Sequence, residues 1–281
     1  MAGPRCRAVP RLAEKGLSWL LLFAISLTMI LPFAWTLSAS LQYDREIFQF
    51  PFRWIPETLR FGNYQEVWTK IPFLEFYLNT FKLSAIITVG QLITSSFAAY
   101  AFARLRFPGR NWMFLVYIAT MMVPWQAIMI PQFTIVKSLG LYNTHAALVL
   151  LRLFSPFGVF LLRQTMQEIP AELSEAGRME GCNELYICTR IVVPNSKAGL
   201  ATLAIFTFSA TWNDYLAPMI YIDAERLKTI QLGLAAFRSM YGMEYGLIMA
   251  GTVSSLIPMV LIYCFAQKYM IQSVAFSGMK A

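Results

Sequence analysis

The chain has 281 residues, of which 57% are hydrophobic and 14% charged, with a formal net charge of +8. Soluble domains carry roughly 25% charged residues, so too few polar groups remain here to cover a water-facing surface, and a soluble globular enzyme is excluded. The apolar residues gather in long runs, the pattern of a chain that crosses a bilayer repeatedly.

In chain order, residues 1–16 form a basic N-terminus with Arg5, Arg7, Arg11 and Lys15. A first transmembrane helix is expected over 17–41, where no charge interrupts the sequence between Lys15 and Asp44. This apolar stretch exceeds the ~7–15-residue core of a cleaved signal, which predicts an uncleaved anchor. Residues 42–80 read as an external segment rich in aromatics such as Trp54, Trp68 and Tyr77. Aromatic rings favour the membrane interface, so a short interfacial helix is expected over Phe61–Lys70.

Five more apolar runs follow: Leu83–Ala103, Asn111–Val136, Ala146–Leu162, Ala198–Ile222 and Tyr245–Gln267. Each approaches the ~20 residues that a bilayer-spanning helix needs. In hydrocarbon the backbone must satisfy its own hydrogen bonds, which predicts helices, with bends at Pro124, Pro156, Pro218 and Pro258. The expected fold is an all-α membrane protein of six transmembrane helices. Its permease core covers 81–271, with a cytoplasmic loop at 168–195 and a cytoplasmic tail at 272–281.

Lysine and arginine set the orientation. The side holding the N-terminus, the Arg104–Arg110 loop, the loop from Arg163 to Lys197 and the tail carries 13 of them, against 8 on the other. The more basic side is cytoplasmic, which places both termini inside. Cys6, Cys182 and Cys188 fall on that side and Cys264 in the last run, so no external disulfide is expected. With one histidine, His145, and no Cys-x-x-Cys pair, neither a zinc site nor histidine-based catalysis is expected.

Residues 168–195 are polar, with five glutamates, yet lie between two apolar runs. Ile169-Pro170 fits a helix start, and Glu172 and Glu175 fall in its early turns, where they complement the helix dipole. Leu173, Ala176 and Met179 share one face at helical spacing. Gly181 suits the left-handed turn that ends a helix. Asn183 can cap a second helix, whose expected apolar face is Leu185, Ile187, Cys188 and Ile191, and Pro194 breaks the chain after it. The expectation is a helix, a glycine turn and a second helix lying along the membrane surface.

Glu175-Ala176-Gly177, then Gly181, then Ile191-Val192-Val193-Pro194 resemble the EAA signature of ABC importer membrane subunits. The Ala99–Arg110 block, Trp212-Asn213-Asp214-Tyr215-Leu216-Ala217-Pro218 and the ending Ser277-Gly278-Met279-Lys280 resemble the carbohydrate branch, of which the second permease of maltose-type systems is an example. The resemblance covers residues 15–281. Gly177 replaces the family's alanine, Val193 its leucine, and Glu180 stands where aspartate is common. Glycine in place of alanine is expected to loosen the first helix by about 0.5–1 kcal/mol.

The resemblance implies a permease subunit of a prokaryotic inner membrane that forms half of a sugar pathway. Its implied partners are a second homologous permease subunit, two copies of an ABC ATPase subunit and an extracytoplasmic sugar-binding protein. Leu173, Glu175, Ala176, Gly177, Met179, Gly181 and Pro194 then belong to the ATPase-coupling loop. No Gly-rich phosphate loop ending in Gly-Lys-Ser/Thr occurs in the chain, so ATP and Mg are expected on the partner ATPase and no cofactor on this chain.

Arg152 and Asp214 are the charges deepest inside apolar runs. Such charges face a partner or a water-filled path. Together with Trp212 and Asn213 they form a candidate sugar path, with a direct Arg152–Asp214 pair as one arrangement. The alternative, a self-sufficient ion-coupled transporter, requires buried acids, and only Asp214 qualifies.

Overall fold

The computed structural model describes residues 9–51, 53–239 and 244–278. The expectations for Arg5, Cys6, Arg7, Met279 and Lys280 lie outside the described residues. In chain order the α-helices are α1 (Val9–Ser40), α2 (Asp44–Ile47), α3 (Gly62–Lys70), α4 (Phe73–Arg104), α5 (Arg110–Ala119), α6 (Trp125–Ser138), α7 (His145–Arg152) and α8 (Pro156–Gln167). They continue as α9 (Ala171–Met179), α10 (Glu184–Tyr186), α11 (Val193–Asn195), α12 (Lys197–Trp212), α13 (Leu216–Tyr221), α14 (Ile230–Ser239) and α15 (Tyr245–Gly278). No strand occurs among the described residues.

The chain forms two compact units: Met1–Lys70 with Phe237–Ser254, and Ile71–Ala236 with Ser255–Ala281. In the first unit, α1 exposes nearly all of its apolar side chains, which suits a lipid-facing helix. The unit closes around Asn63, which is 1% exposed and donates to the carbonyls of Ser40 (2.9 Å) and Gln42 (3.0 Å). Lys70 bridges Glu244 at 2.9 Å, and the Gly246 amide donates to Asp44 at 2.6 Å. These bonds tie the segment after α1 to the first turn of α15.

In the second unit, α4, α8 and α12 pack around Ala99, Val159, Leu162, Met166, Ile187 and Leu203, all 2% exposed or less. Lipid tails are as apolar as leucine, so helices in a membrane associate by close packing over small residues. Gly158 shows this directly. A Cβ there would lie 2.5 Å from Ser95 Oγ and 3.1 Å from Leu203 Cδ2. At Gly199 a Cβ would lie 2.5 Å from Thr165 Oγ1.

Among the described residues, three helices, over Lys15–Ser40, Phe73–Arg104 and Tyr245–Phe265, are long and apolar enough to cross a membrane. Three further pairs pass the same test only when taken together. Arg110–Met122 and Trp125–Ser138 meet at 97°, His145–Arg152 and Pro156–Gln167 at 42°, and Glu184–Asn195 and Lys197–Trp212 at 80°. The bends expected at Pro124 and Pro156 are breaks between separate helices, and the run Ala198–Ile222 is interrupted ahead of the bend expected at Pro218. Pro124 and Pro156 lack an N–H for the preceding turn, which breaks the runs Asn111–Val136 and Ala146–Leu162. In the third run the helix stops at Trp212, and α13 begins only after Asp214, whose Oδ1 accepts from the Ala217 amide at 3.4 Å. Helix α4 starts at Phe73, before the expected end of the 42–80 segment, and Phe73, Phe76 and Thr80 on it are buried.

Gly158→Val forces apart helices in contact, so thermal unfolding in detergent is expected to report a loss of about 1–3 kcal/mol. Gly16→Ala, where nothing lies within 4 Å of the added methyl, is expected not to lower the melting temperature, since alanine favours the helix over glycine.

Candidate functional site

The polar segment 168–195 forms two helical pieces around a glycine turn. Pro170 precedes α9 and holds extended backbone (φ −53°, ψ 134°), so the helix begins one residue after the expected proline start. Gly181 takes φ +82°, its amide donates to Arg178 O at 3.0 Å and the Cys182 amide to Gly177 O at 2.9 Å. That pair of bonds satisfies the carbonyls a helix end leaves orphaned, and glycine enters the left-handed conformation without a Cβ clash. Asn183 caps the second piece, its Oδ1 accepting from the Tyr186 amide at 2.8 Å.

The second piece is not a plain α-helix. Ile187–Val192 widen into a π-helix before α11. Pro194 does not break the chain there; it lies within α11, and the turn into α12 comes at Ser196. Side chains take up carbonyls around that turn: Asn195 Nδ2 donates to Ile191 O at 2.7 Å and Ser196 Oγ to Val192 O at 2.9 Å. Ile187, Cys188 and Val192 are buried, but Leu185 is 61% exposed. Leu185 precedes Ile187 by two residues, about 200° around a helix, so the two cannot share a buried face.

Helix α9 has distinct sides. Ser174 and Gly177 are its buried residues. A Cβ at Gly177 would lie 3.0 Å from Ile191 Cδ1 and 3.2 Å from Ile187 Cγ1. The glycine therefore permits close contact between the two pieces, which corrects its reading as a simple weakness. Leu173 and Met179 are 43% and 88% exposed, and Glu175 and Ala176 are exposed as well.

The segment is fastened at its polar ends. Arg178 Nε donates to Glu184 Oε1 at 2.7 Å, and Tyr100 of α4 donates its hydroxyl to Glu184 Oε2. The Arg178 guanidinium and then the Tyr100 hydroxyl hold the Glu184 carboxyl below the usual carboxylate range. Arg104 Nη2, at the end of α4, donates to Met166 O at 2.6 Å and also to Ile169 O.

The second candidate site lies among the helix breaks. Arg152 Nη2 is 2.8 Å from Asp214 Oδ2, with the side chains 32% and 13% exposed. Arg152 ends α7, and Asp214 sits between α12 and α13. Asn213 is exposed and donates to Ser209 O at 3.0 Å. Trp212 is not beside an open path. It is 1% exposed, donates Nε1 to Ser255 O at 3.0 Å and stacks on Phe208 with centroids 5.7 Å apart. Its indole is a packing element, because the helix turns that ring inward.

Sequence reasoning missed a cavity of about 230 Å³ beside Arg152, lined also by Trp125, Gln132 and Tyr221. Gln132 Oε1 accepts from Trp125 Nε1 at 2.8 Å and from the Tyr221 hydroxyl at 3.1 Å. A glutamine inside an apolar run is the signal that pointed there.

Comparison with known proteins places the chain. The model of the binding-protein-dependent transport system inner membrane component family matches residues 91–275. The arabinooligosaccharides transport system permease protein AraQ of Halalkalibacterium halodurans is 32% identical over 270 residues, covering 94% of this chain and 97% of that one. The lactose transport system permease protein LacG of Rhizobium radiobacter is 31% identical, covering 87% and 89%. A solved bacterial ABC transporter involved in import of the acidic polysaccharide alginate contains a similar chain, with TM-score 0.80, 26% identity and coverage of 95% and 99%. The chain belongs to the binding-protein-dependent inner membrane components, the permease subunits of ABC transporters, and is a transport subunit rather than an enzyme.

Proposed function

We propose that this chain forms half of the translocation pathway of an ATP-driven sugar importer. It works with a second homologous permease subunit, two copies of an ABC ATPase subunit and an extracytoplasmic sugar-binding protein. Relatives named for arabinooligosaccharides, diacetylchitobiose and lactose support a saccharide as substrate.

The observation that carries the coupling role is the sidedness of α9. An apolar patch of Leu173 and Met179 stands open on an otherwise polar helix, while the buried edge and the Arg178–Glu184–Tyr100 bonds fasten the same helix to α4. An ATPase groove seated on Leu173, Ala176 and Met179 moves α9 as a body. The displacement passes through Glu184 and Arg104 to α4, and through the turn at Ser196 to α12. Gly177 and Gly181 shape this coupling element, and Pro194 stiffens the stem that leads into α12.

In the membrane, Arg152, Asp214 and Asn213 with the Trp125–Gln132–Tyr221 cavity present guanidinium, amide and aromatic groups. These suit sugar hydroxyls and ring faces, and the cavity is of the order of one sugar ring. Trp212 supports the path from behind.

Leu173→Asp or Met179→Asp puts a charge where a partner groove closes. Each is expected to lower ATPase co-purification and permease-stimulated ATP hydrolysis at least about tenfold, the equivalent of 1.4 kcal/mol, while membrane insertion stays intact. Undiminished co-purification overturns the docking reading. Sugar uptake into reconstituted vesicles is expected to require ATP and to ignore an imposed ion gradient. Uptake without ATP returns the chain to the ion-coupled class.

Arg152→Asp or Asp214→Arg alone leaves like charges facing one another in a half-buried site. Each single variant is expected to lose transport, and the exchanged double variant to regain part of it in the same vesicle assay. No recovery in the double variant shows that the pair is not a functional unit.

A further inference from the structure

A cleft of about 790 Å³ opens between the end of α4 and one side of α9. Arg104, Arg106, Arg110 and Arg178 line it, together with Ser174, Glu175 and Glu184. Arg178 and Glu184 neutralise one another at 2.7 Å. Three guanidinium groups then face a single carboxylate, Glu175. Arg106 is exposed and makes no ion pair or hydrogen bond among the described residues. Two buried polar atoms of lining residues, Ser174 Oγ and Arg104 Nε, also have no partner, and Ser174 is 2% exposed. A buried polar group left unbonded costs about 1–3 kcal/mol, so the cleft favours a ligand that brings hydrogen-bond acceptors and negative charge.

The cleft continues along α5. A second hollow of about 380 Å³ adjoins it at Arg106, Phe107, Gly109, Arg110, Asn111 and Trp112. Beyond it, α5 exposes Trp112, Met113, Leu115 and Val116, between 57% and 73%. A basic hollow at the end of an apolar helix, leading onto a bare apolar face that begins with tryptophan, has the two chemistries of a lipid. Tryptophan favours the headgroup level, and basic pockets on the cytoplasmic side of membrane helices suit anionic headgroups.

We propose that this cleft holds the phosphate of an anionic phospholipid headgroup from the inner leaflet, with an acyl chain along the outer face of α5. Arg106 and Arg110 take the phosphate oxygens, and Ser174 Oγ and Arg104 Nε supply donors from the floor. Glu175 stands at the rim, where its charge limits the site to one anion. Free phosphate shares the headgroup's chemistry but gains nothing from the apolar face. The site adjoins the proposed ATPase surface along one edge of α9. At about 100° per residue, Ala171, Ser174 and Arg178 line one side of the helix and Leu173 and Ala176 point the other way, while Glu175 and Met179, one turn apart, mark the border between them. A lipid held there bridges α4 and α9, so the composition of the leaflet tunes how firmly the coupling helix is fastened.

The test uses the complete complex, with its ATPase subunits, extracted from membranes containing phosphatidylglycerol and phosphatidylcholine. Lipid retained on the permease chain is read by native mass spectrometry. Phosphatidylglycerol is expected to be retained in preference to phosphatidylcholine. Arg106→Gln is expected to lower that retention about five-fold, corresponding to about 1 kcal/mol for one basic residue at a membrane surface. Ser174→Ala is expected to lower it as well, and Arg190→Gln, exposed but outside the cleft, to leave it unchanged. Equal retention in Arg106→Gln and Arg190→Gln overturns the site. Displacement of the lipid by millimolar inorganic phosphate reassigns it to free anion and overturns the lipid source. Absence of any retained lipid from the assembled wild-type complex, with ATPase present, gives the cleft to the ATPase interface. Co-purified ATPase is read in the same spectra, so failure of the coupling proposal is seen separately.

Discussion

The second unit depends on one constraint: a carbonyl released where a helix breaks in hydrocarbon must find another donor. Helix α4 supplies several of these donors. At the break between α7 and α8, Gln91 Nε2 donates to Arg152 O and Thr94 Oγ1 to Leu153 O, each at 2.6 Å. Below α8, Arg104 takes the carbonyls of Met166 and Ile169. Gln91 is held in turn by Thr207 of α12, whose hydroxyl donates to Gln91 Oε1 at 2.8 Å. A single long helix can thus carry broken neighbours without stranding their backbone in lipid. Its partners approach closely because Gly90, Gly158 and Gly199 stand at the contacts, where even a methyl group would overlap a neighbouring side chain.

This division between an unbroken post and broken partners explains what the sequence revealed. Long apolar runs and the glycine turn at Gly181 follow from local chemistry, because hydropathy and positive φ are properties of a few consecutive residues. The breaks were less legible. Pro124 and Pro156 announced bends, but the bond that tolerates the break beside Pro156 comes from Gln91, 65 positions away in sequence. Nothing in the run Ala198–Ile222 announces that Trp212 turns into the core while the helix ends there and a new one begins at Leu216. A tryptophan next to hydrogen-bonding residues looks like a sugar platform in one dimension, and only packing distinguishes the two roles.

Gly177 shows the same limit in the segment 168–195. Helix propensity ranks glycine about 1 kcal/mol below alanine, and that local argument alone marks a weak point. The contact with Ile187 and Ile191 adds a second term of opposite sign, since a methyl at 3.0 Å requires the isoleucine ends to shift. The glycine therefore packs α9 directly on the π-helical piece even where it weakens the isolated helix.

The Arg152–Asp214 pair joins two helix breaks rather than two helices. Arg152 lies in the last turn of α7, where the partial negative charge of the helix end favours a cation, and Asp214 precedes α13, where the opposite end favours an anion. Each charge therefore has two compensations: its partner at 2.8 Å and the helix end beside it, worth about 0.3–1 kcal/mol. An arginine at a helix centre in lipid costs on the order of 2.5–3.5 kcal/mol, which the dipole alone does not offset, so the closed pair is favoured while the site is dry. The pair therefore joins two helix ends, and each charge keeps a compensation that a pair set within two continuous helices lacks.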